Sequence, residues 1–170
     1  MSDVKLVIPD VSYKQSFLQA VREYQAEDLH NYRNLDLAQL TEHFDEYVTK
    51  LLAESRGENL PAGYVPHTTY WLVRGEVYLG RVDIRHTLTE YLKKEGGHIG
   101  YDIRPSERRK GYGKLALQLG LQKAQELGLP EVLVTCDIGN VASNRIIQTN
   151  GGKLIDTDAK AHKNRYTIQV

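Results

Sequence analysis

A strand, a glycine-containing turn and a long helix follow one another between residues 98 and 127. Residues 98–104 (HIGYDIR) are typical of a central strand, which stops at Pro105. Residues 114–127 carry leucine on more than one side, which predicts a well-buried helix. Gly128 follows as a C-cap and Pro130 as a stop signal. This unit therefore predicts a strand-to-helix turn between residues 105 and 113.

The turn has the chemistry of an anion site. The first backbone N–H groups of a helix lack partners, and the helix dipole adds partial positive charge there. Glycines let an anion approach the backbone closely. Four basic residues add local positive charge, namely Arg108, Arg109, Lys110 and Lys114. A pyrophosphate fits this arrangement. The alternative is an ordinary tight turn with solvated basic side chains. The spacing matches neither a P-loop nor a dinucleotide-binding loop.

The remaining chain alternates helices and strands only in its second half. Two β-rich runs, 68–74 and 77–86, are separated by Gly75-Glu76 and predict an antiparallel hairpin. The other predicted elements are strand 5–8, a helix capped by Asp10 or Ser12, helix 36–54, loop 57–66, a short helix or helical turn over 87–95, strand 131–137, helix 140–149, and strands 153–156 and 165–170. This order predicts an α/β (in stricter naming α+β) fold with a mixed, mostly antiparallel central sheet flanked by helices.

Composition narrows the class of protein. The 170 residues, 41% apolar and 26% charged, predict a single domain over residues 1–170. A net charge of zero argues against nucleic acid as a partner. No apolar run of 18 residues is present, so no membrane partner is expected. Residues 1–5 do not resemble a signal peptide, and Cys136 is the single cysteine, so we expect a cytoplasmic protein.

Two motifs resemble those of the GNAT superfamily, the acyl-CoA-dependent N-acetyltransferases. Residues 98–128 are similar to its central motif, with Arg108, Gly111 and Gly113 matching (Gln or Arg)-x-x-Gly-x-(Gly or Ala). Residues 132–154 resemble its next motif, in which Asn140 opens a helix and Gly151-Gly152 close it. The resemblance covers residues 65–170. It implies a GNAT-like fold and acetyl-CoA as co-substrate.

The resemblance also implies residue roles. The 108–114 turn holds the pyrophosphate, and the backbone of residues 101–103 pairs with the pantetheine arm because two central strands splay apart in this family. Asn140 binds the pantetheine from the other side, and Ser143 and Asn144 reach the coenzyme or are simply solvated. The residues assigned to the coenzyme are Tyr101, Ile103, Arg108, Arg109, Lys110, Gly111, Tyr112, Gly113, Lys114, Asn140, Ser143 and Asn144.

The catalytic groups are less defined. Ile147 occupies the position of the tyrosine that serves many members as general acid, and Gly97 the position of a carboxylate base. The candidate bases are His98, His86 and Asp83, each with a structural role as the alternative; imidazole suits proton removal near pH 7. Tyr101, Tyr112 or a water chain are candidates for the missing acid. Cys136 is interpreted as core. No metal is expected, because His30, His43, His67 and His162 have no metal-ligand spacing.

The predicted function is transfer of an acetyl group from acetyl-CoA to a primary amine, on a small molecule or a peptide. The alternative is a catalytically inactive acyl-CoA-binding or protein-interaction module with the same fold. The N-terminal helices, loop 57–66 and segment 87–96 are expected to shape the acceptor side. Tyr64, Tyr70, Trp71 and Tyr91 line that side or belong to the core. A homodimer, the acceptor's identity and the use of other acyl groups are left open.

Overall fold

The described residues form seven strands and six α-helices. The computed structural model describes residues 3–29 and 32–170, so His30 lies outside the described residues. The helices are α1 (Lys14–Ala26), α2 (Leu37–Glu42), α3 (Phe44–Glu54), α4 (Glu90–Glu95), α5 (Tyr112–Glu126) and α6 (Val141–Thr149). The strands are β1 (Val4–Val7), β2 (His67–Arg74), β3 (Val77–Arg85), β4 (Ile99–Ile103), β5 (Glu131–Asp137), β6 (Lys153–Asp158) and β7 (Lys163–Gln169). The predicted mixed α/β class with helices flanking mostly antiparallel strands is confirmed.

The strands form two sheets. The first has the order β1-β2-β3-β4 and the second the order β5-β7-β6, and every ladder is antiparallel. The predicted hairpin is confirmed, since β2 pairs with β3 around the turn at Gly75, which has a φ of 56°. In the described chain the two sheets meet at an isolated bridge between Gly97 and Val134.

Helices cover both faces of the first sheet. On one face a core shared by both sheets packs against α5 and α6; its fully buried members include Leu72, Val82, Leu117, Val132 and Ile147. On the other face α1, α2 and α3 cover an aromatic core that includes Phe17, Phe44, Trp71 and Tyr78. Phe17 stacks on Trp71 with ring centroids 4.8 Å apart. The apolar faces of α1, α2 and α3 are thus buried against the first sheet.

The element boundaries differ from the sequence expectations in two informative places. The helix predicted over 36–54 is divided at His43, whose ψ of 40° interrupts the helical backbone between α2 and α3. Asp36 caps α2 by accepting from the N–H groups of Ala38 and Gln39. Helix α5 begins two residues earlier than predicted, because Gly111 takes the left-handed conformation that starts it. Among the described residues, no helix combines the length and apolarity needed to cross a bilayer.

Candidate active site

Strand pairing is interrupted between the two sheets alongside β4, and this unpaired edge defines the opening beside β4. At the bridge, the backbone N–H of His98 donates to the carbonyl oxygen of Leu133 over 2.7 Å. From Ile99 to Ile103, β4 pairs with β3 alone in the described part of the chain. The other edge of β4 therefore offers backbone N–H and C=O groups to an extended ligand, as an exposed sheet edge does.

Gly97 makes this junction possible. Its φ is 66°, and a Cβ atom added there would lie 2.4 Å from the carbonyl oxygen of Leu133. Both the left-handed backbone and the close approach of β5 require glycine. The lack of a side chain at this position is therefore imposed by packing between the sheets.

His98 also belongs to the junction. Its Nδ1 atom accepts a hydrogen bond from the backbone N–H of Leu133 over 2.9 Å. Because Nδ1 must accept there, the proton of the neutral ring lies on Nε2 and no free lone pair faces a substrate. Burial, and secondarily the charge of Arg85, lower the pKa of His98, which keeps the ring neutral. This geometry favours a structural role for His98 over the predicted catalytic one.

His86 lies just beyond the end of β3. Its Nε2 atom is 2.8 Å from the hydroxyl oxygen of Thr68, and its backbone N–H donates to Pro66. Burial, and then the neighbouring His67, lower its pKa. The β3–β4 ladder ends before His86, so this histidine does not stand beside the open edge of β4.

Asp83 lies opposite β4. It is directly across from Gly100 in the β3–β4 register. One carboxylate oxygen accepts from the hydroxyl of Thr69 over 2.7 Å, and the other lies 2.6 Å from Nε of Arg81. Of the three predicted bases, Asp83 is therefore the one whose carboxylate shares a sheet face with the middle of β4.

The turn before α5 presents unpaired backbone donors. Arg109 and Gly111 have φ values of 62° and 85°, which direct successive N–H groups to one side of the turn. The first intrahelical bond runs from Leu115 to Gly111 over 3.3 Å. Within the described chain, none of the backbone N–H groups of residues 109–114 donates a hydrogen bond to a protein group. An anion held here would satisfy several donors and the helix dipole.

The basic side chains of the turn fall into two pairs. Arg108 forms an ion pair with Glu27 over 2.7 Å, and Lys110 forms one with Glu107 over 3.0 Å. In the described residues, Arg109 and Lys114 have no carboxylate within 4 Å. The positive charge that remains available for an anion therefore comes from Arg109 and Lys114, together with the backbone.

The glycine at position 113 and the tyrosine before it have separate roles. A Cβ atom on Gly113 would lie 2.9 Å from Cδ1 of Ile146, so this glycine lets α5 and α6 approach closely. The Tyr112 side chain is buried, and its hydroxyl accepts from Arg74 over 2.8 Å. Tyr112 thus contributes its backbone N–H to the turn, and its phenol packs inside the first sheet's core.

A hydroxyl pair bridges β4 and α6. The phenol oxygen of Tyr101 lies 2.9 Å from the hydroxyl oxygen of Ser143. Asn140 is the N-cap of α6, as predicted, and its Oδ1 atom accepts from the N–H of Ser143 over 3.0 Å. The amide nitrogen of Asn140 remains exposed at the same helix end. Burial raises the pKa of Tyr101 to about 12, although the hydrogen bond with Ser143 lowers it.

Asn144 is fully engaged inside the protein. Its amide nitrogen donates to the carbonyl oxygens of Asp137 and Asn140, over 3.0 and 2.8 Å. Its Oδ1 atom accepts from the amide of Asn164 over 2.8 Å and the hydroxyl of Tyr166 over 2.7 Å. Asn144 therefore ties α6 to β5 and β7 and has little capacity left for a coenzyme.

A family model described as an acetyltransferase (GNAT) domain matches residues 16–153. The chain belongs to the GNAT acetyltransferase family. Its enzyme class is accordingly that of an acetyl-CoA-dependent N-acetyltransferase, as the motifs predicted. Acetyl-CoA is the co-substrate of this class.

Solved structures of acetyltransferases share the fold of this chain. The microcin C7 self-immunity acetyltransferase MccE, in complex with acetyl-CoA and AMP, has a TM-score of 0.74 and 14% identity over 100% of this chain and 94% of that one. The ribosomal L7/L12 α-N-protein acetyltransferase RimL, in complex with coenzyme A, has a TM-score of 0.72 and 17% identity, and the match covers 100% of this chain and 96% of that one. RimJ of Mycobacterium smegmatis has a TM-score of 0.69 and 14% identity, and the match covers 98% of this chain and 85% of that one. No curated protein sequence matches significantly.

In this GNAT chain, the two positions at which an acid and a base were expected from the resemblance, Ile147 and Gly97, are both packed against neighbouring groups. Ile147 is fully buried, and a Cβ atom on Gly152 would lie 2.4 Å from its Cγ2 atom. Gly97 lies at the sheet junction described above. Cys136 is buried in the same core as Ile147, as predicted. Within residues 3–29 and 32–170, no group of three or more His, Cys, Asp or Glu side chains is arranged to hold a metal ion.

Two charged contacts next to the turn were not predicted. Arg104, 9% exposed, donates from Nε and Nη2 to Glu23 of α1 over 2.9 and 2.6 Å. The other carboxylate oxygen of Glu23 accepts from the N–H of Ser106 over 3.0 Å. The hydroxyls of Tyr24 and Tyr32 donate to Asp102 over 2.6 and 2.9 Å. The available sequence signal was a pair of charged residues, Asp102 and Arg104, at the end of a predicted central strand, since charged residues that become buried require partners.

Proposed function

We propose that this protein transfers the acetyl group of acetyl-CoA to a primary amine by direct attack of the amine on the thioester. The observation that carries the proposal is the open edge of β4, which leads to the unpaired N–H groups of residues 109–114. An extended arm that ends in a pyrophosphate matches this combination of an unpaired strand edge and a helix N-terminus.

The coenzyme is held mainly by backbone groups in this proposal. Tyr101 and Ile103 lie on the open strand and supply the edge for the pantetheine arm. The turn supplies its N–H groups, and Arg109 and Lys114 supply the charge. The free amide nitrogen of Asn140 donates from the α6 side. Asn144 is left out of the site because its own hydrogen bonds occupy it.

The reaction joins the amine nitrogen to the acetyl carbon and breaks the carbon–sulfur bond. The amine must lose a proton and the departing sulfur must gain one. We assign the second task to Tyr101, whose phenol shares a hydrogen bond with Ser143 in the opening beside β4. A pKa of about 12, raised by burial, keeps this phenol protonated at neutral pH, as a proton donor requires. Its proton is recovered from Ser143 and solvent.

The amine proton needs no histidine in this scheme. His98 has its accepting nitrogen occupied by the backbone of Leu133. An α-amine has a pKa of about 7.7–8.0, so a useful fraction is already neutral near pH 7.5. After the neutral amine attacks, water accepts the proton that the positively charged nitrogen of the tetrahedral intermediate loses. Among amines that bind equally well, those of lower pKa are therefore expected to react faster at neutral pH.

The test combines binding with turnover. We expect acetyl-CoA to bind in calorimetry, and CoA to be released only when an amine is added. Replacing both Arg109 and Lys114 with glutamine should weaken acetyl-CoA binding by about 10-fold or more, because hydrogen bonds to charged groups are lost. Lys153→Gln, a charge removed from an exposed position on β6, is the matched control and should bind normally. Unchanged affinity in the double variant would contradict the assigned coenzyme site.

A second candidate function is an acyl-CoA-binding module without catalysis. Its support is that Ile147 stands where many members have an acid and Gly97 where some have a base. Packing holds both residues in place. It predicts tight acetyl-CoA binding with no amine-dependent CoA release across amino acids, polyamines and peptides. Release that depends on amine concentration rules it out.

A further inference from the structure

A cavity of about 460 Å³ lies on the face of the first sheet that points away from α5. It is bounded by β3, by α4 and by the loop before β2. The residues that define its chemistry are Tyr64, Arg81, Asp83, Arg85, Tyr91 and Glu95. Its volume is within the range of small-molecule sites. The residues assigned above to the coenzyme are absent from its lining.

The cavity floor continues onto β4. Thr69, Asp83 and Gly100 lie opposite one another on β2, β3 and β4. Residues directly opposite in antiparallel strands point their side chains to the same face. No atom lies within 4 Å of where a Cβ on Gly100 would be. Gly100 therefore leaves space on this sheet face beside Asp83, which lines the cavity, in the middle of the strand whose free edge is assigned to the coenzyme.

Arg85 brings to this cavity a guanidinium that has no direct ion-pair partner in the described chain. Its Nη1 atom donates to the carbonyl oxygens of Gly96 and Gly97, over 3.3 and 2.9 Å. No carboxylate of the described chain lies within 4 Å of it, whereas Arg81 is paired with Asp83. The side chain is half-buried, and burial lowers the pKa of its guanidinium. Arginine has five N–H donors, so several remain beyond those given to the two carbonyls.

We propose that this cavity is the acceptor site and that Arg85 binds an anionic group carried by the acceptor. The proposal rests on the transferase function proposed above. Arg85 and Asp83 are two residues apart on β3, a separation of about 7 Å along the strand. The matching acceptor is a small amino-carboxylate whose amine and carboxylate are separated by several bonds. Its amine lies near Gly100 and its carboxylate near Arg85.

A purely structural role for Arg85 makes a different prediction. Arginine at a helix C-terminus stabilises the last carbonyl groups, and Gly96 is the C-cap of α4. In that case, removing the charge would affect all acceptors alike. Discrimination between charged and uncharged acceptors therefore separates the two roles.

The experiment compares ω-amino acids of increasing length with alkylamines of the same length, in the full-length protein. For the wild type, we expect kcat/KM to be highest for one of the longer amino-carboxylates. In Arg85→Gln its KM should rise by about 10- to 100-fold, the factor expected for a hydrogen bond to a charged group. The KM of the matched alkylamine should change by less than about twofold. Arg85→Lys should recover part of the loss, and Lys94→Gln on α4 is the charge-matched control.

Each outcome decides between the proposals. An equal change for amino-carboxylate and alkylamine in Arg85→Gln overturns the acceptor assignment and leaves the transferase function intact. If no amine supports CoA release, calorimetry with N-acetylated amino-carboxylates is the readout. Binding that Arg85→Gln weakens supports the cavity as an anion-binding acceptor site, whereas absence of binding to the wild type overturns it. The acetyl-CoA affinity of Arg85→Gln shows whether this variant is folded. If it is unfolded, Arg85→Lys is compared with the wild type in its place.

Discussion

Replacing Tyr101 with phenylalanine removes one oxygen atom from the opening beside β4. The phenol of Tyr101 shares a 2.9 Å hydrogen bond with Ser143, so the variant loses that bond and leaves the ring in place. The cost in folding stability should be about 1 kcal/mol, since one partly buried hydrogen bond is lost and Ser143 can turn to solvent. The larger effect is expected on chemistry.

The magnitude follows from the role of the proton. A positioned general acid contributes about 10²- to 10⁴-fold to a rate. Because Ser143 and water remain as weaker donors, we expect the lower end, about 100-fold, which corresponds to about 2.7 kcal/mol of activation free energy. Ser143→Ala should have a smaller effect, since it leaves the phenol in place. The pKa of Tyr101, raised to about 12 by burial, keeps the wild-type phenol protonated well above neutral pH. The ratio of wild-type to variant rates should therefore stay constant from about pH 6.5 to 9.5.

The assay is single-turnover acetyl transfer with enzyme in excess over acetyl-CoA, which isolates chemistry from product release. Tyr70→Phe is the matched control, since this tyrosine is half-buried on β2 and lies outside the proposed site. Acetyl-CoA affinity should be unchanged in both variants. A loss of less than about fivefold in Tyr101→Phe, or a ratio that varies strongly with pH in this range, would refute the assignment of Tyr101 as proton donor.

Three further variants test the framework around the site. Glu23→Gln should destabilise the fold by about 2 kcal/mol in urea unfolding at pH 7, because it leaves the buried charge of Arg104 without a carboxylate. Burial raises the pKa of Glu23, but hydrogen bonds from Arg104 and from the backbone lower it overall. The difference in unfolding free energy between the wild type and Glu23→Gln should therefore be fully present above about pH 4.3 and shrink as the pH falls further. Gly97→Ala should destabilise by more than about 2 kcal/mol, since the left-handed backbone alone costs about 1–2 kcal/mol and the new methyl group meets the carbonyl of Leu133; an unchanged urea midpoint would contradict the junction geometry. Asn144→Ala should lower stability by about 2 kcal/mol while leaving the acetyl-CoA affinity of the folded protein unchanged; a weakened affinity would return Asn144 to the coenzyme site.

Local patterns predicted most elements because those elements follow local rules. Strand β5 has the bounds that its apolar run indicated, since its turn signals lie immediately beside it. Helix α6 starts after Asn140, whose side chain caps it. The break at His43 was not predictable, because residues 36–54 keep helical apolar spacing across it. One mixed central sheet in which two strands splay apart was expected, whereas the structure has two separate antiparallel sheets, whose pairing joins residues far apart in sequence.

The coenzyme site was more predictable than the catalytic residues for a related reason. Its proposed ligands are largely backbone groups, whose positions follow from where a strand ends and a helix begins. The roles of Asn144 and His98 depend on partners far away in sequence, namely Tyr166 and the N–H of Leu133. Both residues match the expected residue types, and yet their polar atoms are already occupied. Residue type and spacing alone cannot reveal such competition for hydrogen bonds.

Strand β4 separates the two halves of the proposed reaction by the alternation of its side chains. Tyr101 points to the α6 side, where its phenol contacts Ser143, whereas Asp102 points to the α1 side, where it accepts from Tyr24 and Tyr32. Gly100 shares the face of Asp102 and leaves it open. A proton donor for the leaving sulfur and a space for the incoming amine therefore lie on opposite faces of one strand. The amine adds to the thioester carbonyl carbon to form a tetrahedral intermediate, and the thiolate then leaves from that intermediate. The alternation of side chains on β4 keeps the proton donor for the thiolate apart from the space for the amine.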